Sequence, residues 1–555
     1  MESSRSDQPQ GRLIVAVDFG TTFTGVAYTH TGPTGTESIE VVREWPGKGS
    51  YSKVPTRLSI LESSRMKWGF ETTHDDEPLS LLKLLLLRGD DLPSSVRTAR
   101  QFQKAQIDVA NTGLSPKQIV SAYLRCLREH LSQVAVWKRD QQRPVLLVVT
   151  IPAQWPDTIA LDMREILQDA DMRPSMLFGD IDLMILRESD AAVLSTVADI
   201  EKQGKLKLKA GDIVTVCDIG GATTDVVTNK VTSVGPLAMV PLVPGNGGFS
   251  AVIFMRQKVT NLLQEKLRDR GANFAHVTES EFDKVAEAEW DKRILKKHTA
   301  GGTSYQVTIP HNWGLVAGTG LPVRGVKISS AEIDEILNGP VGVTRELIRR
   351  QCAAVGEKTR GGRPQYILLC GGFSGSPYLV QKVKEDFPSV SILRCEDDGK
   401  RLSAVCRGAV MAAISAEARP TIGLSGAWMA TARYAVVSRQ GIRKLINRGE
   451  QILPGRRIAL QREDFALTEA TSLDGTTIVV PELVITRLGF FDVAMGTSCS
   501  VVLRFEMGEA FLRGEVDGGE LELMVVGRND NEDPRFTLLH HGLGVSPMRA
   551  EIRNH

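Results

Sequence analysis

The sequence predicts an α/β fold followed by a smaller, mostly β domain, and three observations carry the prediction. Four short apolar runs each end abruptly in small, polar or acidic residues, helical stretches lie between those runs, and past about residue 420 the chain changes to short strands separated by turns. The first run, Leu13–Val17, leads into Asp18-Phe19-Gly20-Thr21-Thr22, and the second, Val145–Val149, into Thr150-Ile151-Pro152. The third, Ile213–Cys217, precedes Asp218-Ile219-Gly220-Gly221, and the fourth, Tyr366–Cys370, precedes Gly371-Gly372. Unbroken apolar runs of this length suit strands covered on both faces by helices, each delivering its polar tip at one edge of the sheet.

The helices are expected at Ser115–Ser132, Pro156–Asp171, Asp334–Ala353 and Ser376–Phe387, several opened by a proline or by a capping serine or aspartate. Residues 200–212 and 355–364 are polar, glycine-bearing connectors whose basic side chains read as solvated loop charges. In the last part, Ala430–Val437, Arg457–Gln461, Thr477–Val480, Ser500–Phe505 and Glu520–Val526 are expected as strands. The final stretch reads as a loose polar tail.

A chain of 555 residues holds roughly two to four domains and can bury a large core. Its 67 lysines and arginines nearly cancel 66 aspartates and glutamates, so net charge gives no reason to expect nucleic acid or a membrane surface as partner. The seven cysteines are scattered and never form a CxxC pair, which points to buried free thiols rather than a disulfide framework or a zinc cluster. The polar start MESSRSDQPQGR lacks a secretory core, and no stretch approaches the roughly 20 apolar residues of a membrane span. The expected location is therefore the cytoplasm, with the nucleus also open to such a chain.

The chemistry begins at Asp18-Phe19-Gly20-Thr21-Thr22. A hairpin with glycine and two threonines at its bend presents N–H groups and hydroxyls to phosphate oxygens, and the strand-end carboxylate of Asp18 is placed to hold a hydrated magnesium ion. Alone it could be an ordinary turn, but Asp218-Ile219-Gly220-Gly221-Ala222-Thr223-Thr224-Asp225 repeats the design about 200 residues later. Two such bends can face each other around a triphosphate and its metal. The third element, Gly371-Gly372-Phe373-Ser374-Gly375-Ser376-Pro377, is a glycine-rich turn against which a base or ribose could lie. Gly47-Lys48-Gly49-Ser50 lacks the upstream glycine of a P-loop, Gly318-Thr319-Gly320 lacks the third glycine of a dinucleotide fingerprint, and neither HExxH nor GxSxG occurs.

With these elements in this order the chain resembles the superfamily of sugar kinases, 70-kilodalton heat-shock proteins and actin. Further segments favour the heat-shock branch: Val148-Val149-Thr150-Ile151-Pro152-Ala153, the connecting motif Arg187-Glu188-Ser189-Asp190-Ala191-Ala192, the adenosine-gripping Glu289-Trp290-Asp291-Lys292-Arg293, and Arg407-Gly408-Ala409-Val410-Met411-Ala412-Ala413. Trp68-Gly69-Phe70-Glu71 and Gly372-Phe373-Ser374-Gly375-Ser376-Pro377-Tyr378-Leu379 look most like the divergent 12-type members of that family. Leu445-Ile446-Asn447-Arg448-Gly449 faintly resembles the opening of the family's peptide-binding β-sandwich.

The resemblance implies an actin-like ATPase fold of two lobes with duplicated ribonuclease-H-like cores. It assigns 1–11 to a disordered tail, 12–200 to lobe I, 201–400 to lobe II and 401–418 to a return helix. A β-rich substrate-binding-like domain at 419–530 and a flexible tail at 531–555 complete the division. ATP or ADP with Mg2+ is the implied ligand. Asp18, Asp218 and Asp225 would order the metal's waters, and Lys83, Glu188, Asp218 and Thr223 would carry catalysis, with Lys83 stabilising the transferring phosphoryl group. Gly20, Thr21, Thr22, Gly220, Gly221, Ala222, Gly247 and Gly248 would contact phosphates, while Glu289, Lys292, Arg293, Gly371, Gly372 and Gly375 would hold the nucleoside. The plain alternative for Lys83 is a lysine snorkelling from a leucine-rich helix.

Departures from the family matter too. Gly375 replaces an arginine that stacks on adenine, Leu402 and Ser403 stand where acidic residues are usual, and Phe249 follows Gly247-Gly248 where an acid is common. About 140 residues follow the ATPase region, room for a β domain without a full helical lid, and Arg553-Asn554-His555 is not the acidic docking motif. The implied activity is a slow ATPase serving a chaperone, with extended client peptides and cochaperones as further partners. The alternatives are a nucleotide-sensing scaffold with little turnover and a sugar-kinase-like phosphotransferase, for which no sugar-activating base is visible.

Overall fold

Leu13–Phe19 (β1) is buried at all seven positions, as an unbroken apolar run demands, and it turns at residues 20–22 into Phe23–Gly32 (β2). In the computed structural model β1 also pairs in parallel with Val145–Ile151 (β3), which pairs in parallel with Ile181–Arg187 (β4). The sheet runs in the order Gly35–Thr36, β2, β1, β3, β4, with Glu40–Val41 and Val54–Pro55 also paired to β2. A second sheet repeats it: Leu237–Phe249 (β7), Thr223–Val234 (β6), Ile213–Ile219 (β5), Tyr366–Cys370 (β8) and Ser391–Arg394 (β9), in that spatial order. With the two short strands Glu40–Val41 and Val54–Pro55 set aside, each sheet has its third, second, first, fourth and fifth strands along the chain as neighbours. The fold is thus a mixed α/β one.

The structure describes residues 12–418 except 33–34, 37, 62–64, 88–90, 135–143, 153–154, 156, 171, 173–180, 235–236, 251, 315–318 and 320. Beyond 418 it describes the backbone of the strands named below. The expected tail at 1–11 and Cys499 lie outside the described residues.

The helices start where their caps allow. Pro116–Gln133 (α1) has Ser115 and Gln118 in a reciprocal capping box with proline at its first turn, and Asp157–Asp169 (α2) follows β3. Glu188–Lys202 (α3) continues directly from β4. Met255–Asp269 (α4) and Glu279–Ala286 (α5) run into a π-helical turn at Glu287–Ile294. Ser330–Lys358 (α6) extends past the expected Asp334–Ala353 at both ends: the Ser329–Glu332 capping box opens it four residues earlier and it ends five residues later, at the Thr359 cap, with Pro340 inside it. Pro377–Asp386 (α7), capped by Ser376, and Ala404–Ala418 (α8) complete the set used here.

By its contacts the chain divides into a unit of residues 1–231 with 245–419 and a unit of 232–244 with 420–555. The larger unit has two apolar cores, one on each sheet. Ala222, from the bend of the second sheet, is buried in the core of the first. In the smaller unit, strands at Arg433–Ser438, Gly441–Ile446, Phe465–Thr471, Thr477–Leu488, Ser500–Arg504 and Ala550–Arg553 make one antiparallel sheet. Arg457–Leu460, Leu521–Arg528 and Pro534–His540 make another. Residues 531–555, expected as a flexible tail, are corrected here: Pro534–His540 pairs with Leu521–Arg528 and Ala550–Arg553 with Ser500–Arg504, because both segments carry enough strand-forming residues to extend existing edges.

Candidate nucleotide site

The two bends are copies in geometry as well as in residues. Asp18 pairs with Gly25 and Phe19 with Thr24 across the first hairpin, and Asp218 with Asp225 and Ile219 with Thr224 across the second. Each turn needs glycine at its first bend position. A methyl group on Gly20 would sit 2.4 Å from the Phe23 carbonyl oxygen, and one on Gly220 would be 3.2 Å from that of Thr223, which accepts the Gly220 N–H at 2.9 Å.

These bends meet. A Cβ on Gly221 would lie 2.8 Å from both Oγ1 and Cγ2 of Thr22, so the absence of a side chain at 221 is what lets the second hairpin reach the first. Thr56 braces the first bend, its N–H bonding the Thr22 carbonyl at 2.9 Å and its hydroxyl the Gly20 carbonyl at 2.8 Å. The Ile253 N–H returns to the Gly221 carbonyl at 2.7 Å, which ties the chain just past Gly247 and Gly248, at the end of β7, to the second bend. Gly371, at φ +79°, lies over Asp218: a Cβ there would be 2.4 Å from Oδ1. Three glycine-rich elements far apart in sequence thus converge on one carboxylate.

Around that point stand four buried acids, Asp18, Glu188, Asp218 and Asp225. Burial first, then the charges of Glu188, Asp18 and Asp225, push Asp218 up to about 8. Burial also drives Glu188 up, to about 7, against the pull of Lys83 and with Asp18 and Asp225 adding to the rise. Lys83 is 2% exposed and forms an ion pair with Glu188, its ammonium 5.2 Å from the Trp155 ring and 5.9 Å from that of Phe19. It caps a single 3-10 turn at Leu84–Leu86 instead of riding a long helix, so the snorkelling alternative does not describe it. Leu81, two residues earlier, holds a left-handed φ of 58°, a conformation costly for a branched residue, at the place where the chain turns to deliver the lysine inward.

Among the described residues no group of three or more His, Cys, Asp or Glu side chains could hold a metal ion. The four acids instead suit a hydrated divalent ion, bound through its waters and through the ligand's phosphates, as magnesium prefers.

The residues expected at the nucleoside are engaged with one another and with the backbone. Glu289 pairs with Arg293, Lys292 pairs with Glu287 at 2.9 Å, and Arg293 donates to the Gln306 carbonyl at 2.6 Å. Burial, and then the like charge of Arg256, hold the Arg57 guanidinium below its usual range against the pull of Asp283, Glu287 and Asp291. Above Gly375 stands the guanidinium of Arg401, 3.2 Å from where a Cβ would be, held by the Cys395 carbonyl at 2.6 Å and by an ion pair with Asp398. Leu402, 39% exposed, lies over Gly372. An arginine thus stands over Gly375, and it comes from a charged stretch, Glu396–Arg401, that carries no motif.

Lys53 is the other residue that motif reading missed. Its Nζ lies 2.5 Å from Asp18 Oδ2; burial works against the ammonium, the Asp18 carboxylate overcomes that, and the net shift is upward. Nothing in Ser52-Lys53-Val54 signals this, but Gly25 opposite Asp18, where the second hairpin has Asp225, leaves a hole that a long side chain can fill. Among the described cysteines, Cys217, Cys370, Cys395 and Cys406 are buried free thiols, as expected, while Cys126 and Cys352 are half-buried; burial lifts Cys406 to about 12.

No family model matches the chain. Among curated proteins it is similar to heat shock 70 kDa protein 12B of Homo sapiens, 28% identical over 186 residues that cover 29% of this chain and 26% of that protein. The similarity therefore spans about a quarter of the relative's length and relates part of this chain to a 70-kilodalton heat-shock protein.

Proposed function

We propose that this chain is an ATP-binding protein with an actin-like, two-lobed ATPase region, which hydrolyses ATP slowly and serves a chaperone-like role through its C-terminal β unit. The observation that carries the reading is the meeting of Thr22 with Gly221, which sets two phosphate-binding bends against one buried group of carboxylates. Gly20, Thr21, Thr22, Gly221, Ala222 and Thr223 would turn backbone N–H groups and hydroxyls to phosphate oxygens from both sides, while the Gly220 N–H closes its own turn on the Thr223 carbonyl. Asp18, Asp218 and Asp225 would order the water shell of Mg2+, which when bound supplies charge neutralisation on the phosphates. Lys83, paired with Glu188, would meet negative charge developing on the terminal phosphoryl group. Gly371, Gly372 and Gly375 with Leu402 and Arg401 offer a flat floor, an apolar contact and a cation for the base. Glu289, Lys292 and Arg293 could reach the ribose only by exchanging their present partners.

Calorimetric titration of ATP with magnesium tests this directly. The full chain should show a single site, and Asp218→Ala should weaken it by at least about tenfold. A chain that takes up no nucleotide sinks the reading. The second reading, a nucleotide-sensing scaffold, is favoured by one fact: in this structure the Lys83 ammonium is already engaged by Glu188. Lys83→Ala decides between them, since phosphate release should fall by about a hundredfold or more if the lysine acts on the phosphoryl group and should not change in a scaffold.

A further inference from the structure

The two bends share a register but not a charge pattern. Opposite Asp218 the second hairpin carries another carboxylate, Asp225; opposite Asp18 the first carries Gly25. The space above Gly25 is filled by the stem of Lys53: a Cβ at 25 would stand 3.2 Å from its Cε and 3.3 Å from its Cγ, with Cys406 Sγ at 3.4 Å. Lys53 comes from the residue just before Val54–Pro55, the short strand paired to β2 beside the bend, so both its anchor and its path belong to the site's rigid edge. Its ammonium meets Asp18 at 2.5 Å with 4% of the aspartate side chain exposed, while 17% of the lysine side chain still faces open space. One bend is therefore supplied with a cation by the chain itself, and the other presents two acids.

We propose that Lys53 is a tethered cation that occupies the metal's place beside Asp18 and reaches from that carboxylate to the phosphates of a bound nucleotide, so that binding does not require a divalent ion there. The inference rests on the nucleotide reading given above. An ammonium has three donors; one is taken by Asp18, and two remain to point at oxygens held by the Gly20–Thr22 and Gly220–Ala222 bends. A divalent ion, when present, is then drawn to the side of Asp218 and Asp225. Charge-assisted contacts of this kind are strong enough for their loss to be read in affinity.

The test is a binding titration of ADP and of ATP on the full-length chain, by calorimetry, in excess magnesium and again in excess EDTA. The wild-type affinity should fall by less than about tenfold in EDTA, and that of Lys53→Met by more than about a hundredfold, with magnesium restoring the variant because Asp18 is then open to the ion's water shell. Lys53→Arg should keep the metal-free binding. If the wild type binds in magnesium but loses more than about a hundredfold in EDTA, the inference falls while the nucleotide reading stands. Should Lys53→Met behave as the wild type in both buffers, it falls as well. Absence of binding in either buffer overturns both. A melting scan identifies a misfolded Lys53→Met, and in that case the wild-type pair of titrations decides alone.

Discussion

A carboxylate buried next to three others has an expensive charge, and Asp218 is such a group. Its upward displacement to about 8, from burial and then from Glu188, Asp18 and Asp225, means that the folded, ligand-free protein prefers it protonated. An acid raised in the folded state contributes stability that is full below its unfolded value and is lost as pH climbs through the folded one. The melting temperature of the ligand-free chain should accordingly drop by a few degrees between pH 6 and pH 9, and Asp218→Asn should flatten that slope; a slope unchanged in the variant would remove Asp218 as its source. At this scale the sequence was readable where a residue sat in a strand, glycine, threonine setting, as Asp18, Gly20, Asp218 and Gly221 do. It was silent on Lys53 and Arg401, because a long flexible cation reveals its target only when the fold brings that target within reach. Arg401→Ala should weaken ATP binding by about threefold to thirtyfold, the range of a cation placed over an aromatic face, in the same titration.

Elements impose a different constraint, that of close approach. α3, which begins with Glu188, and α8 cross at Gly408, where an added Cβ would be 1.8 Å from the Ala191 carbonyl oxygen. Ser195 bonds the Ala404 carbonyl at 2.6 Å and Arg407 pairs with Asp199, so two further contacts fix the helix pair on the N-terminal side of the glycine. Backbone cannot yield as a side chain would, and Gly408→Ala should lower the stability of the chain by about 3 kcal/mol, visible as a lower urea midpoint. The helices and strands of 12–418 were legible since period, caps and burial all pointed one way: Ser115 with Gln118 opens α1 and Ser376 opens α7. α6 reaches beyond its apolar-periodic middle because the Ser329–Glu332 capping box starts it in a polar stretch where periodicity gives no signal. The strands past 530 are hard to read in the sequence because their strand-forming residues come in short runs set in a polar stretch, and such runs become strands when an edge is there to receive them.

At the level of the whole molecule, the larger unit is built from one plan used twice. Both sheets have the same strand order, and their bends occur at the same register 200 residues apart, Leu13 with His30 and Ile213 with Lys230. A repeat of that length was visible in the motif residues alone, while the strand order around each was not, since parallel pairings such as β1 with β3 join residues more than 120 positions apart.

The interleaving of the two plans outlasts the thread that joins them. Ala222 is seated in the apolar interior built around β1, and α8, the end of the second plan, packs back on β1, β2 and β3. Only one exposed stretch, Lys209–Gly211, need carry the covalent link between them. A protease nick after Lys209 should therefore leave two polypeptides that co-elute as a single particle under native conditions and separate only in denaturant, so that the molecule behaves as a split protein already assembled.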